Sequence, residues 1–163
     1  MQKIAVIQIS ETGKDIAQIL QRELGAKIIT RTEVEKRWED YDAFVFIGAM
    51  GICVRTIAPY IKDKHEDPAV ICVDSLGQNV ISVLSGHIGG ANDLTREVAA
   101  LIGGREVITT QSDNVGLWAL DTFAERFNWA IASDDMNRCI FAFVNRQPTA
   151  LLMEICDEGT DYL

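Results

Sequence analysis

The sequence has little of what a membrane protein, a disulfide-bonded secreted protein or a zinc protein needs. Its 163 residues include only four cysteines and two histidines, with no close pairing among the cysteines that would indicate a zinc site. No apolar run approaches the roughly twenty residues of a membrane span. The first residues, Met1 to Ile7, have the pattern of a strand and not that of a signal peptide. We therefore expect a cytoplasmic protein with reduced cysteines and no membrane contact.

Basic residues are also in short supply. The chain has 15 Lys and Arg against 24 Asp and Glu, which gives a formal net charge of −9. This charge opposes binding to a phosphate backbone and argues against nucleic acid as a partner. The hydrophobic share of 48% and the charged share of 24% fit a globular protein, and the length suits one domain or one domain with a small appendage.

Short apolar stretches alternate with one-sided helical patterns over residues 1–113. The predicted strands cover residues 4–9, 27–30, 43–47, 69–73, 79–84 and 106–109. The short turn at residues 74–78 predicts a hairpin, and so one antiparallel pair. The fold class is therefore α/β, a three-layer arrangement of a mainly parallel sheet with helices on both faces. We expect the loops after residues 9, 47, 84 and 109 to share one edge of the sheet.

Local signals predict how several of these elements begin and end. Pro59 predicts a kink or a restart near residue 58 in the helix that follows Gly48. Asn92 or Asp93 is the predicted N-cap of the helix that contains Leu94. Beyond residue 113 the pattern changes, and residues 114–163 are expected to be a small appended α/β segment or the start of a second module. A helix spanning residues 117–127, a helix at 135–145 and a strand at 149–155 are predicted there.

Two glycine-containing turns, at residues 48–51 and 86–90, each precede a helix. Such turns can aim unpaired backbone amides at an anion, for which a carboxylate is well suited. Tight turning and close helix packing are the better explanation of an isolated pair of glycines, but two such turns in one sheet, one of them with a histidine, make anion binding an equally good explanation. Arg55 could form a bidentate pair with a carboxylate, or a surface salt bridge. His87 lies inside the second turn, where it could transfer a proton or bond to the loop backbone.

The chain resembles the cobalt-precorrin-5A hydrolases, the CbiG family of anaerobic cobalamin biosynthesis. The residues that carry this resemblance are the runs at 48–59 (GAMGICVRTIAP), 67–70 (DPAV), 84–92 (LSGHIGGAN) and 107–110 (VITT). Family members usually continue into a further carboxyl-terminal domain. We expect this chain, whose last residues look like the middle of a protein, to be truncated or to be a shortened member.

The resemblance implies opening of the δ-lactone of cobalt-precorrin-5A and release of acetaldehyde, giving cobalt-precorrin-5B. This hydrolysis needs a base and donors for an oxyanion. His87 is the expected base, and Asp113 could orient it or activate water, although capping a helix is the simpler role for Asp113. Ser85 is expected to make a turn hydrogen bond and not to act as a nucleophile. The expected substrate-binding residues are Gly48, Gly51, Arg55, Ser85, Gly86, Gly89, Gly90 and Asn92.

No cofactor and no protein-bound metal are expected, because the cobalt belongs to the tetrapyrrole substrate. Two other functions stay open: a non-catalytic tetrapyrrole-binding fragment, and a flavodoxin-like module that binds flavin mononucleotide. The segment at residues 10–15 resembles a flavodoxin phosphate loop, but Asp15 stands where that pattern has a threonine. A homodimer and contacts with neighbouring cobalamin-pathway enzymes also stay open.

Overall fold

The computed structural model describes residues 2–124, 127–133, 135–154 and 160. The chain divides into two compact units, Met1–Thr109 and Thr110–Leu163, which are described separately. The boundary falls after Thr109, whereas the sequence pattern places it after Asp113.

The first unit is built on a six-stranded sheet. Its strands are β1 (Ile4–Gln8), β2 (Lys27–Ile29), β3 (Ala43–Ile47), β4 (Ala69–Val73), β5 (Asn79–Leu84) and β6 (Arg105–Val107), in the spatial order β2-β1-β3-β4-β5-β6. All neighbouring pairs are parallel except β4 and β5, which form the predicted antiparallel hairpin. The mainly parallel sheet of the predicted α/β class is therefore confirmed.

Helices cover the sheet on two sides. The helices of this unit are α1 (Lys14–Leu24), α2 (Val34–Arg37), α3 (Met50–Ile57) and α4 (Ala91–Ile102). One core cluster joins α1 and α4 to alternate strand residues such as Val6 and Val45. The other joins α2 and α3 to the intervening residues, such as Ile7 and Phe46. Because β1, β3 and β4 are buried on both faces, their sequences are continuous apolar runs and not alternating ones.

The antiparallel hairpin reverses the direction of the last two strands, and this overturns the prediction of one shared edge. Leu84, at the end of β5, pairs with Val70 at the start of β4, whereas Gly48 follows β3 and its amide bonds to the carbonyl of Val73 at the end of β4. We call the side where β1, β3 and β4 end the carboxyl edge, and the side where they begin the amino edge. The loops after residues 9 and 47 lie at the carboxyl edge, and those after residues 84 and 107 lie at the amino edge. The sheet separates them by about 13 Å, four residue steps along β4.

Two helix boundaries differ from their predicted positions. Helix α3 ends at Ile57 with Ala58 as its C-cap and does not restart, because Pro59 has no amide to continue it. Helix α4 begins at Ala91 with Gly90 as its N-cap, so the predicted capping role of Asn92 or Asp93 is wrong. Gly90 takes this position because its φ of 81° is left-handed, a conformation that glycine adopts without strain.

The second unit contains three short helices within the described residues: α5 (Gln111–Asn114), α6 (Leu120–Phe123) and α7 (Met136–Val144). The single helix predicted across residues 117–127 is therefore wrong. Helix α7 is confirmed, and the Asp135 carboxylate caps it by accepting a hydrogen bond from the Arg138 amide at 3.0 Å. Residues 149–154 form no strand, and Ile155 lies outside the described residues. Across the described helices, none combines the length and apolarity that a membrane crossing requires.

Candidate functional site

The carboxyl edge contains the crevice that this sheet order predicts. The chain leaves β1 toward β2 on one side and returns at β3 on the other, so the loops after β1 and β3 diverge at a topological switch point. Open α/β sheets bind ligands outside the carboxyl ends of strands at such a point. The Gly48 turn, which consists of residues 48–51, forms one wall of this crevice.

Two glycines allow the loops of this crevice to touch. A Cβ on Gly48 would lie 2.9 Å from Cβ and from Cγ1 of Ile9, and its φ of 154° also disfavours other residues. A Cβ on Gly13 would collide with Ile47. Close packing of the loops therefore explains why residue 48 is glycine. It does not explain why the amides that follow make no hydrogen bond among the described residues.

Helix α3 begins with donors that have no partner. Its N-cap, Ala49, offers no side-chain cap, and the Ala49 carbonyl accepts the amides of Ile52 and Cys53 at 2.9 and 3.3 Å. The amides of Ala49, Met50 and Gly51 make no hydrogen bond within the part of the chain that the structure describes. The positive end of the helix dipole lies at the same place, so this turn can bind an anion.

Arg55 adds a full positive charge beside these amides. Its guanidinium folds back one turn along α3, where Nη1 lies 3.4 Å from the position that a Cβ on Gly51 would occupy. Arg55 is exposed and forms no ion pair with any described residue. The guanidinium therefore lies over the first turn of the helix, where the unbonded amides are.

The segment at residues 10–15 occupies the other wall of the crevice. It contains a 3₁₀ turn, Glu11–Gly13, that leads directly into α1. Lys14 pairs with Glu11 at 3.8 Å, and Asp15 adds a second carboxylate to the first turn of α1. Two carboxylates at this position oppose a phosphate, which counts against the flavin alternative.

The second glycine turn, residues 85–90, lies at the amino edge, and we call it the Gly86 turn. Ser85 is buried with a left-handed φ of 56°, and its Oγ donates to the Asp67 carbonyl at 2.9 Å. A Cβ on Gly89 would lie 2.5 Å from Cβ and 2.9 Å from the carbonyl oxygen of Ser85, so only glycine fits. Ser85 thus makes the turn hydrogen bond that was predicted for its hydroxyl.

Most amides at the start of α4 are already used by this turn. The amide of Gly90 donates to the His87 carbonyl at 2.9 Å, that of Ala91 to Ser85 at 3.1 Å, and that of Asn92 to Gly86 at 2.9 Å. The side-chain Oδ1 of Asn92, which is buried, accepts from Ser82 Oγ at 2.7 Å and ties α4 to β5. Gly86 and Gly89 keep unbonded amides within the described residues, so this turn offers fewer anion donors than the Gly48 turn.

His87 is half-buried in this turn, and the two residues after it, Ile88 and Gly89, line a cavity of about 480 Å³. The cavity is lined by Trp38, Glu39, Tyr41, Asp42, Lys62, Glu66, Asp67, Pro68, Ile88 and Gly89. Lys62, its one cation, pairs with Glu39 at 3.0 Å, which raises the pKa of Lys62. An acidic lining of this kind does not suit a substrate rich in carboxylates.

Asp113 lies in the second unit, in the four-residue helix α5. Its Oδ2 accepts a hydrogen bond from Thr110 Oγ1 at 2.6 Å. Asp113 therefore lies within α5, whose N-cap is Thr110, and the next helix, α6, has Ala119 as its N-cap, so the predicted capping of the following helix by Asp113 is wrong. Among the described residues, no group of three or more histidine, cysteine, aspartate or glutamate side chains could hold a metal ion.

Sequence reasoning placed amide donors at the Gly48 turn but missed one contact at the carboxyl edge. Cys72 Sγ, in β4, donates a hydrogen bond to the carbonyl oxygen of Gly48 at 3.5 Å. No local pattern signals this contact, because the two residues are 24 positions apart in the sequence.

Comparisons with known proteins agree with this description. Residues 32–113 match the family model described as cobalamin synthesis G N-terminal, and residues 118–163 match the cobalamin biosynthesis central region. The cobalt-precorrin-5A hydrolase of Priestia megaterium is 42% identical over 145 residues, which is 88% of this chain and 38% of that protein. The cobalt-precorrin-5A hydrolase of Salmonella typhimurium is 54% identical over 88 residues, 54% of this chain and 25% of that protein.

The chain therefore spans well under half the length of the curated relatives that it matches. A solved structure, that of a cobalamin biosynthesis protein G homolog from Sulfolobus solfataricus, is similar with a TM-score of 0.60 and 27% identity. This similarity covers 96% of the present chain and 52% of the Sulfolobus chain.

Proposed function

This chain belongs to the cobalamin biosynthesis protein G family, and we propose that it acts in the hydrolysis of cobalt-precorrin-5A. In this reaction water opens the δ-lactone, and a two-carbon fragment leaves as acetaldehyde to give cobalt-precorrin-5B. The similarity to two proteins named cobalt-precorrin-5A hydrolase supports this proposal. The chain covers only part of those relatives, so its own residues indicate which steps of the reaction it performs.

The substrate-binding step is assigned to the carboxyl edge. The observation that carries this assignment is the set of unbonded amides of Ala49, Met50 and Gly51 beneath the unpaired guanidinium of Arg55. A tetrapyrrole intermediate of this pathway carries peripheral carboxylates, and each can accept amide hydrogen bonds and a bidentate guanidinium contact. Local donors of this kind can offset the repulsion from the net charge of −9.

The base for lactone opening is assigned to His87, as a second and separate proposal. A neutral imidazole can take a proton from the attacking water and later from the liberated alcohol. The amides of Gly86 and Gly89 are the donors left at this turn for an oxyanion. Asp113 belongs to the other unit. The role proposed for it is to activate the attacking water.

The Gly48 and Gly86 turns lie at opposite edges of the sheet. A single carboxylate of the substrate therefore cannot contact both Arg55 and His87. One substrate uses both only if it extends over the roughly 13 Å between those edges. The kinetic signatures differ. Loss of Arg55 should raise KM and leave kcat, whereas loss of His87 should lower kcat and leave KM.

The test of the binding assignment is Arg55→Ala. We expect cobalt-precorrin-5A to bind about 10-fold to 100-fold more weakly, because a hydrogen bond to a charged group contributes roughly 1.5–3 kcal/mol. Absorbance titration of the tetrapyrrole at several salt concentrations measures this, and wild-type affinity should fall as salt rises. The matched control is Arg96→Ala, which removes the same charge from α4, where Arg96 pairs with Asp93. Equal affinity in Arg55→Ala and wild type, or equal weakening in both variants, would overturn the assignment.

A further inference from the structure

Strand β4 holds Gly48 at both of its backbone polar groups. The Gly48 amide donates to the carbonyl oxygen of Val73 at 2.8 Å, and the Gly48 carbonyl oxygen accepts a hydrogen bond from Cys72 Sγ at 3.5 Å. No other described group donates to this carbonyl. Gly48 and Cys72 are both buried, so without the thiol the carbonyl would lie in the interior with no partner.

The contact with Cys72 sets the direction of the next amide in the chain. The peptide that joins Gly48 to Ala49 is planar and trans, so its carbonyl oxygen and its N–H point in opposite directions. Because the carbonyl points at the Cys72 thiol, the Ala49 N–H points away from β4. Gly48 is buried whereas Ala49 is exposed, so this N–H is directed outward at the carboxyl edge.

The other two unbonded donors of the turn are oriented by α3 itself. The Ala49 carbonyl points along the helix and accepts the Ile52 amide at 2.9 Å. The Met50 N–H belongs to the same peptide plane and therefore points out of the helix start, as does the Gly51 N–H in the first helical turn. Of the three donors, the Ala49 N–H alone is oriented by a contact outside α3.

We propose that Cys72 is a positioning residue for substrate binding. Its thiol holds the Gly48 carbonyl inward and thereby keeps the Ala49 N–H directed at a substrate carboxylate. Without the thiol, the carbonyl gains a hydrogen bond only by tilting toward water, which turns the N–H out of line. Gly48 permits this tilt because it has no Cβ. The effect on carboxylate binding rests on the proposed function, whereas the effect on the peptide does not.

The first test measures the peptide without any ligand. The three-bond NMR coupling between the amide and α protons of Ala49 reports its φ, which is −71° in the structure. The wild-type coupling should match this angle, and the coupling in Cys72→Ala should differ. Cys72→Val should give the same change, because valine fills the buried space and has no donor. The control is Val70→Ala, which removes apolar volume from the same core cluster and should leave the Ala49 coupling unchanged.

The second test measures the donors one at a time. Propionate, a simple carboxylate, is added to isotope-labelled protein, and the amide resonances of Ala49, Met50 and Gly51 are followed by NMR. All three should shift in the wild type, whereas in Cys72→Ala the response of Ala49 should be largely lost and the other two should persist. Cobalt-precorrin-5A should bind this variant about two-fold to ten-fold more weakly, the range that one neutral hydrogen bond supplies, with kcat unchanged.

The outcomes separate the role of Cys72 from the carboxylate site itself. If propionate shifts none of the three amides in the wild type, the carboxylate site at the Gly48 turn is overturned. If the amides respond but Ala49 keeps its coupling and its response in both Cys72 variants, the positioning role is overturned and the thiol is only a packed core group. The same changes in Val70→Ala would also overturn it, because they would come from lost stability alone.

Discussion

The Gly48 turn and the Gly86 turn look alike in sequence, since each places glycines between an apolar strand and a helix. Their backbone amides are used in opposite ways. At the Gly48 turn, the amides of Ala49, Met50 and Gly51 have no hydrogen-bond partner among the described residues. At the Gly86 turn, the amides of Gly90, Ala91 and Asn92 all donate to carbonyls of the turn itself.

The difference shows that a glycine-rich turn before a helix is not by itself an anion site. What matters is whether the chain folds back far enough to satisfy the helix amides. The Gly86 turn does so because Ser85 adopts a left-handed conformation that points its carbonyl at the amide of Ala91. The Gly48 turn enters α3 in extended conformation at Ala49, so no turn carbonyl reaches the first amides of that helix.

The largest predicted effect is the loss of activity when His87 is removed from the Gly86 turn. His87→Ala should lower the rate of acetaldehyde release from cobalt-precorrin-5A by about 10²-fold to 10⁴-fold, the usual cost of removing a general base. Wild-type activity should fall as the pH is lowered, because only a neutral imidazole can accept a proton from the attacking water.

The matched control is His65→Ala, which removes the other histidine from an exposed loop and should leave the rate unchanged. A loss of only a few-fold in His87→Ala, or a flat profile from about pH 5 to pH 8, would show that the Gly86 turn supplies no base. The difference between the two turns would then be structural alone.

The next prediction tests whether the close contact between Gly89 and Ser85 requires glycine in the Gly86 turn. Gly89→Ala should lower the free energy of unfolding by about 3 kcal/mol or prevent folding, since the added Cβ would overlap Cβ and the carbonyl oxygen of Ser85. Gly90→Ala is the control, because no atom lies within 4 Å of its Cβ position and only its φ of 81° disfavours alanine. That change should cost about 1–2 kcal/mol. Urea unfolding measures both, and equal costs would contradict the close contact.

The sequence predicted most of the fold because apolar runs and helical periodicity reveal strands and helices directly. It also predicted the β4–β5 hairpin from the short turn at residues 74–78. The prediction that the four loops share one edge was wrong because the antiparallel β4–β5 pair reverses the direction of β5 and β6. The carboxyl ends of these two strands therefore lie at the amino edge, and Gly86 lies there with them. The role of Asn92 depends on its contact with Ser82 in β5, which no local pattern contains.

A smaller effect should separate binding from stability at the Gly48 turn. Gly51→Ala adds a Cβ that meets only the flexible guanidinium of Arg55, and Gly51 lies inside α3. Alanine in a helix is favoured over glycine, so the free energy of unfolding should rise by about 0.5–1 kcal/mol. Tetrapyrrole affinity should stay within about two-fold of wild type, because the added Cβ lies at ordinary contact distance from the guanidinium and leaves it in place. A several-fold loss of affinity in this more stable variant would show that carboxylate binding at the helix start requires glycine at position 51.

The smallest effect concerns Asp74, which holds the hairpin that sends the two turns to opposite edges. Its carboxylate accepts hydrogen bonds from the amides of Leu76, Gln78 and Asn79. Partial burial raises the pKa of Asp74, but these hydrogen bonds outweigh it and hold the pKa below its usual value.

A lowered folded-state pKa means that the Asp74 carboxylate stabilises the hairpin above the unfolded-state value of about 3.9 and loses this effect as the pH falls through the lower folded-state value. Asp74→Asn should therefore cost about 1 kcal/mol or less at neutral pH, since the side chain is partly exposed. The difference from wild type should shrink as the pH drops below about 4. Thermal unfolding from neutral to acidic pH measures this, with Glu97→Gln on the exposed side of α4 as the control. A difference that stays constant down to the most acidic pH would mean that shape, and not the charge of Asp74, holds the hairpin.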